Sequence, residues 1–255
     1  MNEVTDPTNP TVKSLIQDLK NGFSKTHRQC FNARFVVCEL PLNLSEVKKI
    51  LPFGIKPIEP AMGTFFHVNY TQPTFTFPYF EAALLIHVKT LFGTGVHCCW
   101  IVVNDDTPII YGRETLAYPK KLANLTFEES DTAITATVDR RGINVVSLIA
   151  KKEEPITDPG PIFGFKTFNA GGIGQMLGIN PIWCFKIHEE IKEAYNIELN
   201  LAFEESKFDP LTNLVEGEPI NPRMVVEDIM GSEYLFPAGV AGPKWYANTY
   251  LMRVR

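Results

Sequence analysis

The chain has 255 residues, a formal net charge of −5, 45% hydrophobic residues and 21% charged residues. This is the balance of a globular protein with enough chain for a substantial core, and its acidity speaks against a nucleic-acid footprint. The longest apolar run, residues 82–88, is far short of the roughly 20 residues that a membrane-spanning helix requires, and it contains His87.

No polar linker or shift of composition divides the chain, so residues 1–255 are expected to form one domain, with residues 1–10 as a flexible tail. The N-terminus is acidic and polar where a signal peptide is basic and then apolar, which points to a cytoplasmic protein. The five cysteines (Cys30, Cys38, Cys98, Cys99 and Cys184) are odd in number and lack metal-ligand spacing. Reduced core thiols are the expectation, with Cys98 and Cys99 on opposite faces of a strand.

In chain order, a helix is predicted over residues 12–23, then a strand over 35–40. A short helix follows at 43–52. There Asn43 or Ser45 can cap, Leu44, Val47 and Leu51 share a face, and Pro52 forbids continuation. Strands are predicted at 65–70, 80–88 and 98–103. The turn-forming run 104–108 then leads to Ile109, Ile110 and Tyr111, in a neighbourhood that reads as sheet-like. Strands at 132–139 and 143–148 flank Arg140-Arg141-Gly142 as a tight hairpin, and further strands fall at 182–187 and 197–203. So many strands beside so few helical patterns indicate a mainly β (α+β) protein, with an antiparallel β-barrel or double-layered sheet and a few peripheral helices. The glycine-rich run 171–178 has the spacing Gly-x-Gly-x-x-x-Gly and no strand-loop-helix context, so it reads as a loop and not a nucleotide cradle.

Residues 112–123, Gly-Arg-Glu-Thr-Leu-Ala-Tyr-Pro-Lys-Lys-Leu-Ala, carry the most chemistry. Adjacent lysines after a proline also suit a solvated corner. A lysine withheld from water or pressed against a second cation, however, loses stability as ammonium and becomes a nucleophilic amine. A second marked residue is Glu81, a lone carboxylate in the apolar run 79–86, where it must be hydrogen-bonded, paired, or turned to water at a strand edge.

The twelve-residue run resembles the signature of the acetoacetate decarboxylase family. Asn43 to Pro52, Glu59-Pro60 followed by Tyr79-Phe80-Glu81, and Asp209 to Val215 are similar to family segments in the same order. The resemblance spans about residues 32–230, and residues 232–255 have no counterpart in it. It implies a β-barrel or cone-like fold, a homo-oligomer, and a Schiff base on Lys120 with Lys121 as its cationic neighbour. It also implies Glu81 as an essential acid, Tyr118 beside the substrate, and an arginine for the substrate carboxylate. Arg34 aligns with that arginine after one deletion; Arg28 needs an insertion. One departure stands out: the family's second glutamate is missing from residues 62–70. Phe65 falls at its place, and His67, on the same strand face, is either its substitute or a histidine hydrogen-bonded in a sheet.

Three functions remain open at this stage. The first is decarboxylation of a small β-keto acid such as acetoacetate through an imine, a chemistry that needs neither metal nor organic cofactor. The second is a Schiff-base aldolase-dehydratase reaction on pyruvate-like substrates. The third is a non-catalytic β-barrel that binds hydrophobic ligands.

Overall fold

The computed structural model describes residues 11–163, 165–171 and 179–255. Among these residues the frame is a 13-stranded sheet, whose two shortest strands are β2 (Lys56–Pro57) and β4 (Gln72–Pro73). Seven strands close into a ring: β1 (Arg28–Pro41), β3 (Met62–Tyr70), β5 (Tyr79–Thr90), β6 (Gly93–Val103), β11 (Lys166–Ala170), β12 (Asn180–Phe203) and β13 (Ile220–Ala241). Around the ring the order is β11-β6-β5-β3-β1-β13-β12, and β12 pairs back to β11. All pairings in it are antiparallel except β6–β11, where Lys166 and Thr167 run parallel to Gly95 and Val96.

The far half of β12 leaves the ring and pairs with β10 (Ile143–Pro155), which continues to β9 (Ala133–Arg140) and β8 (Asn124–Glu129). These outer strands lie over one side of the barrel, so β1, β3 and β5 are covered on both faces. That explains their near-continuous apolar sequence, since alternation appears only where one face meets water. On β1, Phe35 and Val37 belong to the core inside the barrel, whereas Val36 and Cys38 belong to the core between barrel and outer layer. The outer layer keeps the alternation: Ile134, Ala136 and Val138 of β9 are buried, and Thr135 between them is exposed. Its hairpin turns at Arg141 (φ 53°) and Gly142 (φ 79°), the double left-handed conformation of a two-residue turn.

Helices α1 (Val12–Gly22), α2 (Leu44–Ile50), α4 (Leu211–Leu214) and α5 (Pro243–Arg253) are peripheral. Asn43 caps α2 by accepting from the backbone N–H groups of Ser45 and Glu46. Two expectations are corrected. Residues 109–111 are not sheet-like but lie in helix α3 (Asp106–Leu116), because Asp105 accepts from Thr107 N and nucleates a turn that the apolar run concealed. The strands expected at 182–187 and 197–203 are one bulged strand, β12. The sequence beyond residue 231 completes β13 and forms α5. Residues 1–10 and 172–178, the expected tail and most of the glycine-rich run, lie outside the described residues. The five cysteines are buried and free.

Two enclosed histidines make the fold sensitive to acid. Burial pulls His67 and His97 down to about 4, against weaker support from the carbonyls of Thr137 and Phe168 respectively. Below about pH 6.5 an unfolded chain binds protons there that the folded chain refuses, so stability falls as pH drops from 6.5 toward 4. The expected loss by pH 4.5 is about 2–3 kcal/mol per histidine. Urea unfolding between pH 7 and 4.5 measures it. His97→Gln should flatten the pH slope, and an unchanged slope in that variant would refute the assignment.

Candidate active site

Lys120 is placed by the way α3 ends. Ala117 takes a left-handed conformation (φ 55°), and both its N–H and that of Tyr118 return to the carbonyl of Gly112. Pro119 cannot prolong a helix. The chain therefore drops into the short strand β7 (Lys120–Leu122), which runs parallel to β6 with Lys120 beside Ile101 and Lys121 beside Val102. Successive residues of a strand face opposite ways. Ile101 belongs to the core inside the barrel and Val102 to the outer core, so the two lysines diverge.

Lys120 enters a cavity of about 90 Å³ inside the barrel. Its Nζ donates to Glu81 Oε2 at 2.6 Å, with both residues buried, at 8% and 3% exposure. The rings of Tyr79 and Tyr118 lie 5.6 and 5.9 Å from Nζ. Tyr70 offers its hydroxyl to Glu81 Oε1 at 3.5 Å. Burial raises all three phenols well above their ordinary range, so they stay neutral donors at physiological pH. Gly112 makes room for the lysine, since a Cβ there would stand 2.7 Å from Lys120 Cε. Arg113 holds the strand from behind, donating through Nη1 to the Lys120 carbonyl at 3.1 Å.

Lys121 points into the other core. Its Nζ donates to Asp209 Oδ1 at 2.6 Å and to the Leu251 carbonyl at 3.0 Å. Asp209, fully buried, also accepts from Arg140 Nε at 2.8 Å and from Trp100 Nε1 at 2.8 Å. Burial lowers Lys121 to about 8, with Asp209 opposing the shift and Arg140 adding to it. The ion-pair partner of Lys120 is therefore a carboxylate, Glu81, while the charge of Lys121 is engaged with Asp209 on the far side of β7.

The other sequence-marked residues divide. Glu81 and Tyr118 share the cavity with Lys120. Arg34 does not: with Phe35 facing inward, Arg34 faces the outer layer and pairs with Glu129 at 2.5 Å. Arg28 is held by Glu190 and Asp228. Phe66, not Phe65, lines the cavity, and His67 faces away from it, against Phe127 and the Thr137 carbonyl. The reason is pleat parity. Phe66 pairs with Ala83 and Val68 with Glu81, which puts even-numbered residues of β3 on the Glu81 face. Sequence reasoning also passed over Asp209 and Tyr79 as site residues, though both lay in quoted segments. It missed Arg140 and Phe163, for which no local signal exists.

The description "Acetoacetate decarboxylase (ADC)" belongs to a family model that matches residues 16–236. The chain belongs to the acetoacetate decarboxylase family. A curated relative, the acetoacetate decarboxylase of Acidiphilium cryptum (strain JF-5), is 27% identical over 128 residues, covering 49% of this chain. The chain spans about half the length of that relative, 51%. Among solved structures, the acetoacetate decarboxylase of Legionella pneumophila superposes with a TM-score of 0.72 at 17% identity, over 83% of this chain and 85% of that one. The enduracididine biosynthesis enzyme MppR complexed with pyruvate gives 0.69 at 12% identity, over 82% and 89%. At such identities the structural likeness speaks for the fold.

Proposed function

We propose that this chain is a lyase that decarboxylates a β-keto acid through a Schiff base on Lys120. The observation that carries the reading is a buried primary amine, in a cavity inside the barrel, 2.6 Å from a single carboxylate on an acetoacetate decarboxylase-family fold.

In the first step the Lys120 ammonium passes a proton to Glu81, which frees its lone pair. The amine adds to the ketone carbon, and Glu81 returns the proton to the carbinolamine hydroxyl, which leaves as water. The resulting protonated imine draws electrons from the neighbouring carbon. The bond to the carboxylate breaks, carbon dioxide departs, and the bonding pair becomes the enamine double bond. A proton from water, relayed by Glu81, is added to the enamine carbon. Hydrolysis of the imine then releases the ketone and restores the ammonium. The Tyr70 hydroxyl, which donates to Glu81, is suited to hold that carboxylate in position between proton transfers.

A second reading, condensation on a pyruvate-like substrate, is supported by the fold shared with an enzyme solved in complex with pyruvate and by the lack of a glutamate in residues 62–70, where the family resemblance leads one to expect a second acid. It uses the same imine but places protons differently. Borohydride reduction tests both readings. With acetoacetate present, the peptide carrying Lys120 should gain the mass of a reduced isopropyl adduct while carbon dioxide is evolved. An adduct formed from pyruvate alone, without gas, selects condensation. A peptide unmodified by either compound rejects imine chemistry and leaves a binding barrel.

A further inference from the structure

We infer that the substrate is a β-keto acid with an acyl chain longer than acetyl, selected by the apolar wall around Phe66 and Phe163. The inference rests on the Schiff-base reading above and concerns what lies at the far end of the molecule from the imine.

Among the described residues that line the cavity, Lys120 is the sole lysine, and no arginine or histidine joins it. The guanidinium groups of Arg28 and Arg34 are both committed to carboxylates elsewhere. A substrate carboxylate entering here thus meets no cation reserved for it. Among the described lining residues the one positive charge is that of the reacting nitrogen, and its attraction is the same for every β-keto acid. Carboxylate recognition therefore cannot tell one β-keto acid from another at this site.

What differs among such acids is the acyl end, and the cavity is built for an apolar one. Phe66, Phe75, Leu116, Phe163, Ile187 and Ile229 all contribute to its lining. The wall is held in place. The Phe163 ring packs edge-on against Phe35 and Phe66, with centroids 5.8 and 5.4 Å apart. Its backbone is clamped by Glu189, whose two oxygens accept from Ile162 N at 2.7 Å and from Phe163 N at 2.9 Å. Glu189 is a positioning residue, and Phe66 and Phe163 are the residues that determine specificity. Apolar groups entering a preformed apolar wall gain affinity with each methylene buried, without the cost of ordering the wall.

The series acetoacetate, 3-oxopentanoate and 3-oxohexanoate tests this on the intact protein. The rate constant kcat/KM should rise about threefold to fourfold per methylene, reaching about tenfold for 3-oxohexanoate over acetoacetate. Because the gain is uniform binding, it should appear in KM more than in kcat. Phe66→Leu and Phe163→Leu, each checked for folding by thermal unfolding, should reduce the ratio between the longest and shortest acid. A flat or falling series, with the Lys120 adduct still trapped by borohydride, overturns this inference and leaves the imine chemistry standing. Failure to trap Lys120 with any of the three acids removes the Schiff-base reading, and this inference with it.

Discussion

Lys120→Arg should lower the decarboxylation of β-keto acids by at least about 10⁴-fold, because the guanidinium has no lone pair to offer and cannot be deprotonated in a protein. Arginine is the informative replacement, since it keeps a cation opposite Glu81, whereas a neutral residue would strand a buried carboxylate. The loss should fall on kcat and on borohydride trapping together. The variant has little room beside Gly112, so its thermal unfolding must be recorded alongside. Glu81→Gln is the companion. It keeps the shape of the site, removes the proton acceptor, and should cost about 10²–10⁴-fold. A Lys120→Arg enzyme that stays folded and decarboxylates at the wild-type rate would end the mechanism.

Asp209→Asn is expected to be the most damaging substitution for stability, at about 3–5 kcal/mol, because it leaves Lys121 and Arg140 buried without a counter-charge. Against a total stability of about 5–15 kcal/mol that is a large fraction. Urea unfolding at pH 7 measures it. Adding Lys121→Met to Asp209→Asn should recover part of the loss, since one of the two stranded charges is then gone. Decline of less than 1 kcal/mol in the single variant, or further decline in the double, would show that this cluster does not brace the strand carrying Lys120.

The two substitutions separate the roles of the neighbouring lysines. Placed together by sequence, they are parted by the pleat of β7: one amine faces the barrel interior and the other a buried Asp–Arg pair. The family resemblance, carried by adjacent residues, implies Lys121 as a cation beside the nucleophile. Strand geometry turns that proximity into divergence, and it supplies Glu81 as the Lys120 partner from 39 residues away.

Local chemistry made several features legible. The Asn43 cap and Pro52 bound α2, the turn at Arg141-Gly142 fixes the β9–β10 hairpin, and the density of β-forming runs gave the fold class. The run 112–123 marked the region of Lys120 because its glycine, proline and paired lysines each meet a local backbone or packing demand. Strand β3 shows the limit. Two phenylalanines stand side by side at 65 and 66, and nothing in their types says which one faces the cavity. Slipping the pairing by one residue exchanges the faces completely.

By itself, then, the sequence determined what is decided within a few residues: helix caps, turns, strand tendency, and the stretch in which a reactive lysine belongs. Tertiary structure alone decided which side of each strand became the barrel interior, that Arg34 faces Glu129, and that Asp209, Arg140 and Lys121 meet. The reason is that strand pairing joins residues distant in the chain, and its register depends on burying both cores at once. No short segment carries that information.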